Sequence, residues 1–191
     1  MTNLIQKIRS IPKEYFSLND IKKISHLEDA SLKVAVSRMV KSQKLIKLGH
    51  KLYILNTSKI DWEKLSCEIY QPSYLSFEYA LGIHNILSQK PIHLVLATAK
   101  RTKQIHILDK NIFYHHIDQR LFWGYQKLEN VFLAEPEKAF LDLAYLSLNG
   151  YAKFDLEEMN LDLLDKNILK KYLKKFKNKR LEKIINQCFD K

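Results

Sequence analysis

The fold of this chain is decided by residues 29–55, which read DASLKVAVSRMVKSQKLIKLGHKLYIL. Their first half has the apolar spacing of a helix, at about 100° per residue. The residues on the apolar face of this helix are Leu32, Ala35, Val36, Met39 and Val40. In the second half, Leu45–Leu48 and Leu52–Leu55 flank Gly49-His50-Lys51, which predicts a short hairpin with a basic tip.

The outer face of the predicted helix is small and basic, which suits the major groove of DNA. There, side chains must reach base edges while nearby cations neutralise phosphates. The predicted DNA contacts are Ser31, Lys33, Val34, Ser37, Arg38 and Lys41 in the helix, and Lys47, His50 and Lys51 in the hairpin. The alternative is an ordinary amphipathic helix followed by a surface hairpin.

The residues before this stretch predict two further helices. Asn3–Arg9 has apolar residues on one side, and Pro12 ends this helix. Ser17 is placed to cap the next helix, with the Asp20 carboxylate reaching back three residues later. A turn over residues 26–28 has the usual helix-turn-helix length. Three helices and a hairpin predict a winged helix-turn-helix, whereas a generic three-helix bundle would leave the hairpin unexplained.

After a connector at residues 56–65, the pattern predicts a mixed domain. The expected elements are a helix capped by Ser76, strands at 92–97, 104–108 and 112–117, an edge strand within 125–132, a core helix opened by Glu135-Pro136-Glu137, a short helix within 156–164 and a basic helix at 167–189. The predicted class is α+β: a winged helix-turn-helix domain (1–65), followed by a mixed α/β C-terminal domain (66–191) with a basic helical tail.

The formal net charge of +11 indicates a polyanionic partner. The charge is uneven along the chain. Residues 1–65 carry 13 basic and 6 acidic groups, residues 66–150 carry 8 of each, and residues 151–191 carry 11 and 7. The positive charge therefore lies towards the two ends of the chain.

Few residues offer catalytic or metal chemistry. Cys67 and Cys188 are too isolated for a disulfide framework or a zinc site, and the histidines lack partners at a known ligand spacing. We therefore expect packed histidines and no metal, cofactor or catalytic residue; the alternative is a metal-dependent nuclease using His93, His106 or His115. Without a signal sequence or long apolar segment, a cytoplasmic protein with no membrane contact is expected.

Two segments of the middle region resemble the AbiEi family, the antitoxins of type IV toxin–antitoxin systems that act in phage defence. One is Pro72-Ser73-Tyr74-Leu75-Ser76, followed by Ala80-Leu81 and a strand that ends at Ala97-Thr98-Ala99-Lys100-Arg101. The other runs from Ala134 to Leu143 and reads AEPEKAFLDL. The resemblance covers residues 1–150.

This resemblance implies an autorepressor of abortive-infection genes that binds inverted repeats in double-stranded operator DNA. It also implies antagonism of a nucleotidyltransferase-like toxin without a stable complex between the two proteins. The alternative is an interaction protein whose C-terminal domain sequesters a toxin directly or senses a ligand. Lys100, Arg101 and Lys103 match a basic position of the family and are predicted as a secondary nucleic-acid contact, with a solvent-exposed turn as the alternative.

Overall fold

The fold was taken from a computed structural model, which describes residues 2–49, 52–89, 91–129 and 131–189. Within these ranges the chain forms eight α-helices and two β-sheets, so its class is α+β, as predicted. It divides into two compact units, Met1–Asp61 and Trp62–Lys191. No helix in the described ranges has the length and apolar character needed to cross a membrane.

The first unit consists of three helices and a three-stranded antiparallel sheet with the strand order β1-β3-β2. Its elements are α1 (Thr2–Arg9), β1 (Phe16–Ser17), α2 (Leu18–Ser25), α3 (Asp29–Lys41), β2 (Leu45–Gly49) and β3 (Leu52–Leu55). The helices and strands bury one common core, made by Ile8, Phe16, Ile21, Leu32, Val36, Met39, Leu45 and Tyr53. The predicted apolar face of α3 therefore faces the core of this unit.

The start of α2 is fixed by the predicted capping box. The Ser17 hydroxyl accepts from the backbone N–H of Asp20 at 3.1 Å, and the Asp20 carboxylate accepts from the backbone N–H of Ser17 at 2.8 Å. Lys13 adds an ion pair to the same carboxylate at 2.8 Å. Burial alone would raise the pKa of Asp20, but the hydrogen bonds from Lys13 and Ser17 lower it to about 2.

The predicted hairpin forms with antiparallel register. Leu45 pairs with Leu55, Ile46 with Ile54 and Lys47 with Tyr53. β1 adds a third strand by pairing Phe16 with Tyr53. The predicted tip residues His50 and Lys51 lie outside the described residues.

The second unit contains a six-stranded mixed sheet with the strand order β6-β7-β5-β4-β9-β8. Its strands are β4 (Ser73–Leu75), β5 (Leu94–Thr98), β6 (Lys103–Ile107), β7 (Lys110–His116), β8 (Tyr125–Leu128) and β9 (Val131–Ala134), and its helices are α4 (Trp62–Ile69), α5 (Phe77–Ile83), α6 (Pro136–Ser147), α7 (Lys166–Phe176) and α8 (Lys179–Phe189). α4 packs on β4, β5 and β9, and α6 contacts α5, α7 and α8. As predicted, α6 is a core helix that starts with a proline in its first turn.

Several predicted elements have other boundaries in the structure. The connector predicted at 56–65 ends early, because helix α4 begins at Trp62. The helix capped by Ser76, whose apolar spacing extends to Leu87, ends at Ile83 as α5, and Leu87 beyond it forms an isolated bridge with Met159. The predicted edge strand within 125–132 is a hairpin of two strands, with β8 at the sheet edge.

The basic tail is two helices instead of the single helix predicted. α7 ends at Phe176 because Lys177 adopts the left-handed conformation, with φ of 50°. α8 then starts at Lys179, and the Asn178 side chain accepts from the backbone N–H groups of Arg180 and Leu181 at 3.0 and 3.1 Å. The acidic segment before the tail forms two 3-10 turns, Leu156–Glu158 and Leu161–Leu163, where one short helix was predicted.

Candidate functional site

All six DNA contacts predicted within helix α3 are exposed residues. These exposed residues are Ser31, Lys33, Val34, Ser37, Arg38 and Lys41. Val34 is the apolar member of this face, and half of its surface is accessible. Within the described part of the chain, the side chains of Arg38 and Lys41 form no hydrogen bond or ion pair, which leaves both cations available to an external anion.

The connection from α2 to α3 is short and held by charge. His26 ends α2 in the left-handed conformation, with φ of 55°, and Glu28 occupies the N-cap position of α3. Lys22 in α2 and Asp29 at the start of α3 form an ion pair at 2.6 Å. The ion pair thus bridges the two helices across the turn. In the neighbouring hairpin, Lys47 is exposed on β2.

The second unit carries another basic surface, here called the basic loop, which comprises residues 99–102 and Lys103 at the start of β6. The Tyr70 hydroxyl donates to the carbonyl of Arg101 at 3.1 Å. The His116 Nδ1–H donates to the carbonyl of Lys100 at 2.9 Å, because a carbonyl oxygen only accepts. Two loop carbonyls thus accept hydrogen bonds from side chains of the same unit, and the basic side chains of Lys100 and Arg101 remain exposed.

The Tyr70 ring gathers two of these cations. The ammonium groups of Lys100 and Lys103 lie over the ring, 5.5 and 5.0 Å from its centroid. An open cleft of about 630 Å³ adjoins them, lined by Tyr70, Ala99, Lys100, Arg101, Thr102 and His116. None of these six lining residues is acidic. Two ammonium groups held on one ring, beside an open cleft without a carboxylate, form a favourable position for an anion.

Three histidines of the second unit contact neighbouring side chains of that unit. His106 Nδ1 lies 3.0 Å from Asn111 Oδ1, and His93 packs edge-to-face on Phe113. His115 packs edge-to-face on Phe77, and burial lowers its pKa, so that its ring is neutral at pH 7. Among the described residues, no group of three or more His, Cys, Asp or Glu side chains is placed to hold a metal ion.

The two segments that carry the family resemblance meet at Lys138, which is fully buried in α6. Lys138 Nζ donates to the Tyr74 hydroxyl at 2.9 Å and forms a short ion pair with Asp142. The other oxygen of Asp142 accepts from the hydroxyls of Tyr74 and Ser76, each at 2.9 Å. We call these four residues the Lys138 network.

The Lys138 network is enclosed by aromatic rings. The Lys138 ammonium lies 5.2 to 5.4 Å from the ring centroids of Tyr74, Trp123 and Phe176. Burial lowers the pKa of Lys138, and the Asp142 carboxylate opposes that shift. Burial and the neighbouring Asp142 charge raise the pKa of Tyr74 well above its ordinary value. The network therefore joins β4, α6 and the start of α5. Its two opposite charges, on Lys138 and Asp142, balance each other.

Gly124 is required beside this network for two reasons. Its φ is +74°, a conformation that side-chain-bearing residues rarely adopt. A Cβ at this position would also come within 2.9 Å of Lys138 Cγ. The glycine therefore allows the backbone before β8 to approach the lysine stem.

The acidic residues that open α6 do not converge on one site. Glu135 accepts from Gln126 Nε2 at 3.1 Å and from the Tyr172 hydroxyl, and that bond, together with burial, raises the pKa of Tyr172 to about 12. Glu137 accepts from the backbone N–H of Asp165 at 2.9 Å. Glu135 and Glu137 thus attach residues of α7 and its N-cap, whereas Asp142, in the middle of α6, belongs to the Lys138 network.

Sequence reasoning missed the pairing of Lys138 with Asp142 and Tyr74, although the i, i+4 spacing of a lysine and an aspartate in an apolar helix was a usable signal. The same reasoning placed Ser76 as a helix cap. Ser76 does occupy the N-cap position of α5, but its side chain makes no cap hydrogen bond and donates to Asp142. Compared with protein-family models and with curated proteins, the chain matches none of them.

Proposed function

We propose that the first unit is a winged helix-turn-helix domain that binds operator DNA, with α3 as the recognition helix. The support is the element order of helix, strand, two helices and a two-stranded hairpin, with a three-residue turn before α3. The observation that carries the proposal is the exposed outer face of α3. There Arg38 and Lys41 have no internal partner in the described residues, and Ser31, Val34 and Ser37 are short enough to allow close approach to base edges.

The test is binding to the promoter fragment upstream of the chain's own coding sequence, measured by fluorescence anisotropy. We expect Arg38→Ala and Lys41→Ala each to weaken binding by roughly 1–3 kcal/mol if the residue contacts a base, or to lower the salt dependence if it contacts a phosphate. Lys127→Ala is the control, because it removes one exposed positive charge from β8 in the other unit. Promoter binding by both α3 variants at the level of wild type and Lys127→Ala would exclude α3 as the recognition helix.

The second unit, in this proposal, is the antitoxin domain of a type IV toxin–antitoxin system in phage defence, and the whole protein is a transcriptional autorepressor. The support is that both segments resembling the AbiEi family contribute to one buried arrangement. Tyr74 and Ser76 come from the first segment, and Lys138 and Asp142 from the second. These four residues, all buried, therefore specify how β4, α5 and α6 pack.

The antitoxin activity is tested by expressing a nucleotidyltransferase-like protein encoded beside this chain, with and without the chain. We expect the chain to restore growth, and we expect the two proteins not to purify as a stable complex. A stable equimolar complex would instead support the second candidate, direct sequestration by the C-terminal domain. Failure to restore growth in the presence of folded chain would exclude an antitoxin role against that toxin.

The basic loop is proposed as a secondary nucleic-acid contact that binds phosphate groups. The support is the paired placement of the Lys100 and Lys103 ammonium groups on the Tyr70 ring, with Arg101 exposed in the same loop. Such contacts add affinity without sequence preference. The expected signature is therefore a smaller salt dependence when the lysines are removed, with little change in sequence discrimination.

A further inference from the structure

Two neighbouring clefts of the second unit share two of their lining residues. The cleft beside the basic loop and a second cleft, of about 510 Å³, are both lined by Thr102 and His116. The His116 ring is anchored at this junction, because its Nδ1–H donates to the carbonyl of Lys100 at 2.9 Å. The two clefts therefore form one continuous surface, here called the double cleft.

The two parts of the double cleft differ in charge. The first part is lined by Lys100 and Arg101, with Lys103 on the neighbouring tyrosine ring, and none of its lining residues is acidic. The second part is lined by one carboxylate, that of Asp118, which forms an ion pair with Arg120 at 3.2 Å. A phosphate group is thus favoured in the first part, and an uncharged group in the second.

The second part offers aromatic surface together with hydrogen-bonding groups. Its lining includes the rings of Tyr145 and Tyr151, the imidazole of His115 and the amide of Asn149. Tyr145 is fixed by packing on Phe176, with the ring centroids 5.8 Å apart. Unpaired nucleobases are recognised by this combination, with aromatic rings on their faces and polar side chains at their edges.

Tyr151 is the ring of the double cleft that is available for stacking. Its surface is 70% exposed, and among the described residues its ring contacts no cation and no other aromatic ring. The backbone at Tyr151 is held by the end of α6. There Gly150 turns the chain with φ of +73°, and the N–H of Tyr151 donates to the carbonyl of Leu146 at 3.4 Å.

An exposed ring beside cations that suit phosphate favours a strand whose bases are unpaired. In a duplex the bases stack on one another and their faces are covered, so that a protein ring beside the backbone has no base to stack on. Proteins that bind single strands combine a basic groove for the backbone with aromatic side chains for the bases. The double cleft contains both parts within one unit of the chain.

We propose that the double cleft binds single-stranded nucleic acid, with phosphate groups at Lys100, Arg101 and Lys103 and a base stacked on Tyr151. This inference rests on the proposed role of the basic loop as a nucleic-acid contact, and it names the form of nucleic acid that the surface prefers. The phosphate contacts are common to duplex and single strand, whereas the stacked base is particular to the single strand.

The test measures fluorescence anisotropy of labelled oligothymidine and oligouridine of about 12 nucleotides, and of the duplex of oligothymidine with oligoadenine. The full-length chain carries Arg38→Ala and Lys41→Ala throughout, so that the cations of α3 do not mask the double cleft. We expect Tyr151→Ala to weaken binding to the single strands by about 5-fold or more, the effect of one lost stacking contact, and to leave duplex binding unchanged. Tyr151→Phe keeps the ring and should bind like its parent.

The matched control for Tyr151→Ala is Leu128→Ala. Leu128 is also an exposed apolar side chain, and it lies on β8, at the other edge of the sheet from β6. It should leave binding to all three probes unchanged, and circular dichroism confirms that each variant is folded. Stacking on either single strand supports the proposal, and the tighter of the two identifies the preferred sugar.

Lys100→Ala/Lys103→Ala separates this inference from the proposed function of the basic loop. We expect the double variant to weaken binding to all three probes. If it does so while Tyr151→Ala weakens none of them, or weakens the duplex as much as the single strands, the phosphate contact stands and the single-strand inference is overturned. No effect of the lysine pair on any probe would overturn both.

A free nucleotide is the remaining occupant that the test distinguishes. We expect thymidine monophosphate, at the same concentration of phosphate groups as unlabelled oligothymidine, to displace the labelled strand far less well, because it engages one phosphate position. Equal displacement by the two competitors would identify the free nucleotide as the ligand and overturn binding of a strand.

Discussion

Lys138 has no exposed surface, yet its ammonium group lies among three aromatic rings in the centre of the second unit. A buried charge of this kind is tolerated only when it is paired and hydrogen-bonded. Asp142 supplies the opposite charge, and Tyr74 accepts a further hydrogen bond from the ammonium. Stability therefore depends on the network as a whole more than on any single member.

We predict that Lys138→Met destabilises the protein by roughly 3–5 kcal/mol, because it leaves the Asp142 carboxylate buried without its cation. The double variant Lys138→Met/Asp142→Leu should recover much of this loss, since both charges are then absent. The measurement is urea unfolding followed by circular dichroism. Lys127→Met, at an exposed position, serves as the control and should stay within about 0.5 kcal/mol of wild type.

Two results would contradict this account of Lys138. A single variant as stable as wild type would mean that the carboxylate is accommodated without the lysine. A double variant less stable than Lys138→Met would mean that the rings and strands need the charged pair to pack. Each outcome is distinguishable from general misfolding, because the four proteins are compared by the same transition.

Sequence patterns carry little information about which side chains meet in the Lys138 network. Tyr74 and Lys138 are 64 residues apart, and the bond between them exists only because β4 and α6 pack together. Local patterns predicted the exposed side of α3 because helical spacing alone determines which side chains share a face. No local spacing predicts which hydroxyl of another element a buried lysine will contact.

Among the elements, long periodic segments were predicted well and short strands were not. α3 and the hairpin of β2 and β3 follow the expected boundaries, because their apolar residues recur at the spacing of one regular structure. β1 has two residues and exists because Phe16 and Ser17 pair with Tyr53 and Leu52. β4 has three buried residues, too few for a periodicity of two to be visible.

The capping box at the start of α2 gives a pH-dependent prediction. The pKa of Asp20 is lowered in the folded state from 3.8 to about 2, so its contribution to stability is complete above pH 4 and is lost as the pH falls towards 2. We expect Asp20→Asn to destabilise the protein by about 1 kcal/mol at pH 7, allowing for screening by solvent, and we expect this difference to shrink steadily as the pH falls from 4 to 2.

The measurement for Asp20 is the free energy of unfolding of wild type and Asp20→Asn between pH 2 and pH 7. Glu28→Gln is a matched control, because Glu28 occupies the N-cap position of α3 without a side-chain cap bond. A difference between wild type and Asp20→Asn that stays constant over this range would show that the carboxylate charge is not the stabilising feature. Ser17→Ala should cost roughly 0.5–2 kcal/mol through the loss of its cap bond.

For the whole molecule, the main feature is that positive charge occurs in both units. The exposed face of α3 and the basic loop both carry cations that are available to phosphate, and the net charge is +11. A chain of this charge binds any DNA to some extent at low salt. Affinity alone is therefore a poor measure of operator recognition, and the ratio of operator to unrelated DNA is the informative quantity.

The contributions of the two basic surfaces to DNA binding should be distinguishable, one by sequence discrimination and the other by salt dependence. We predict that Arg38→Ala lowers the ratio of affinities for operator and unrelated DNA, because a major-groove arginine reads base edges. Lys100→Ala/Lys103→Ala should weaken binding to operator and to unrelated DNA by the same factor. It should also reduce the slope of log affinity against log salt by up to about 2, one for each phosphate contact. A slope equal to that of wild type would identify the basic loop as an ordinary solvent-exposed turn, and a lowered ratio would make it part of the sequence-reading surface.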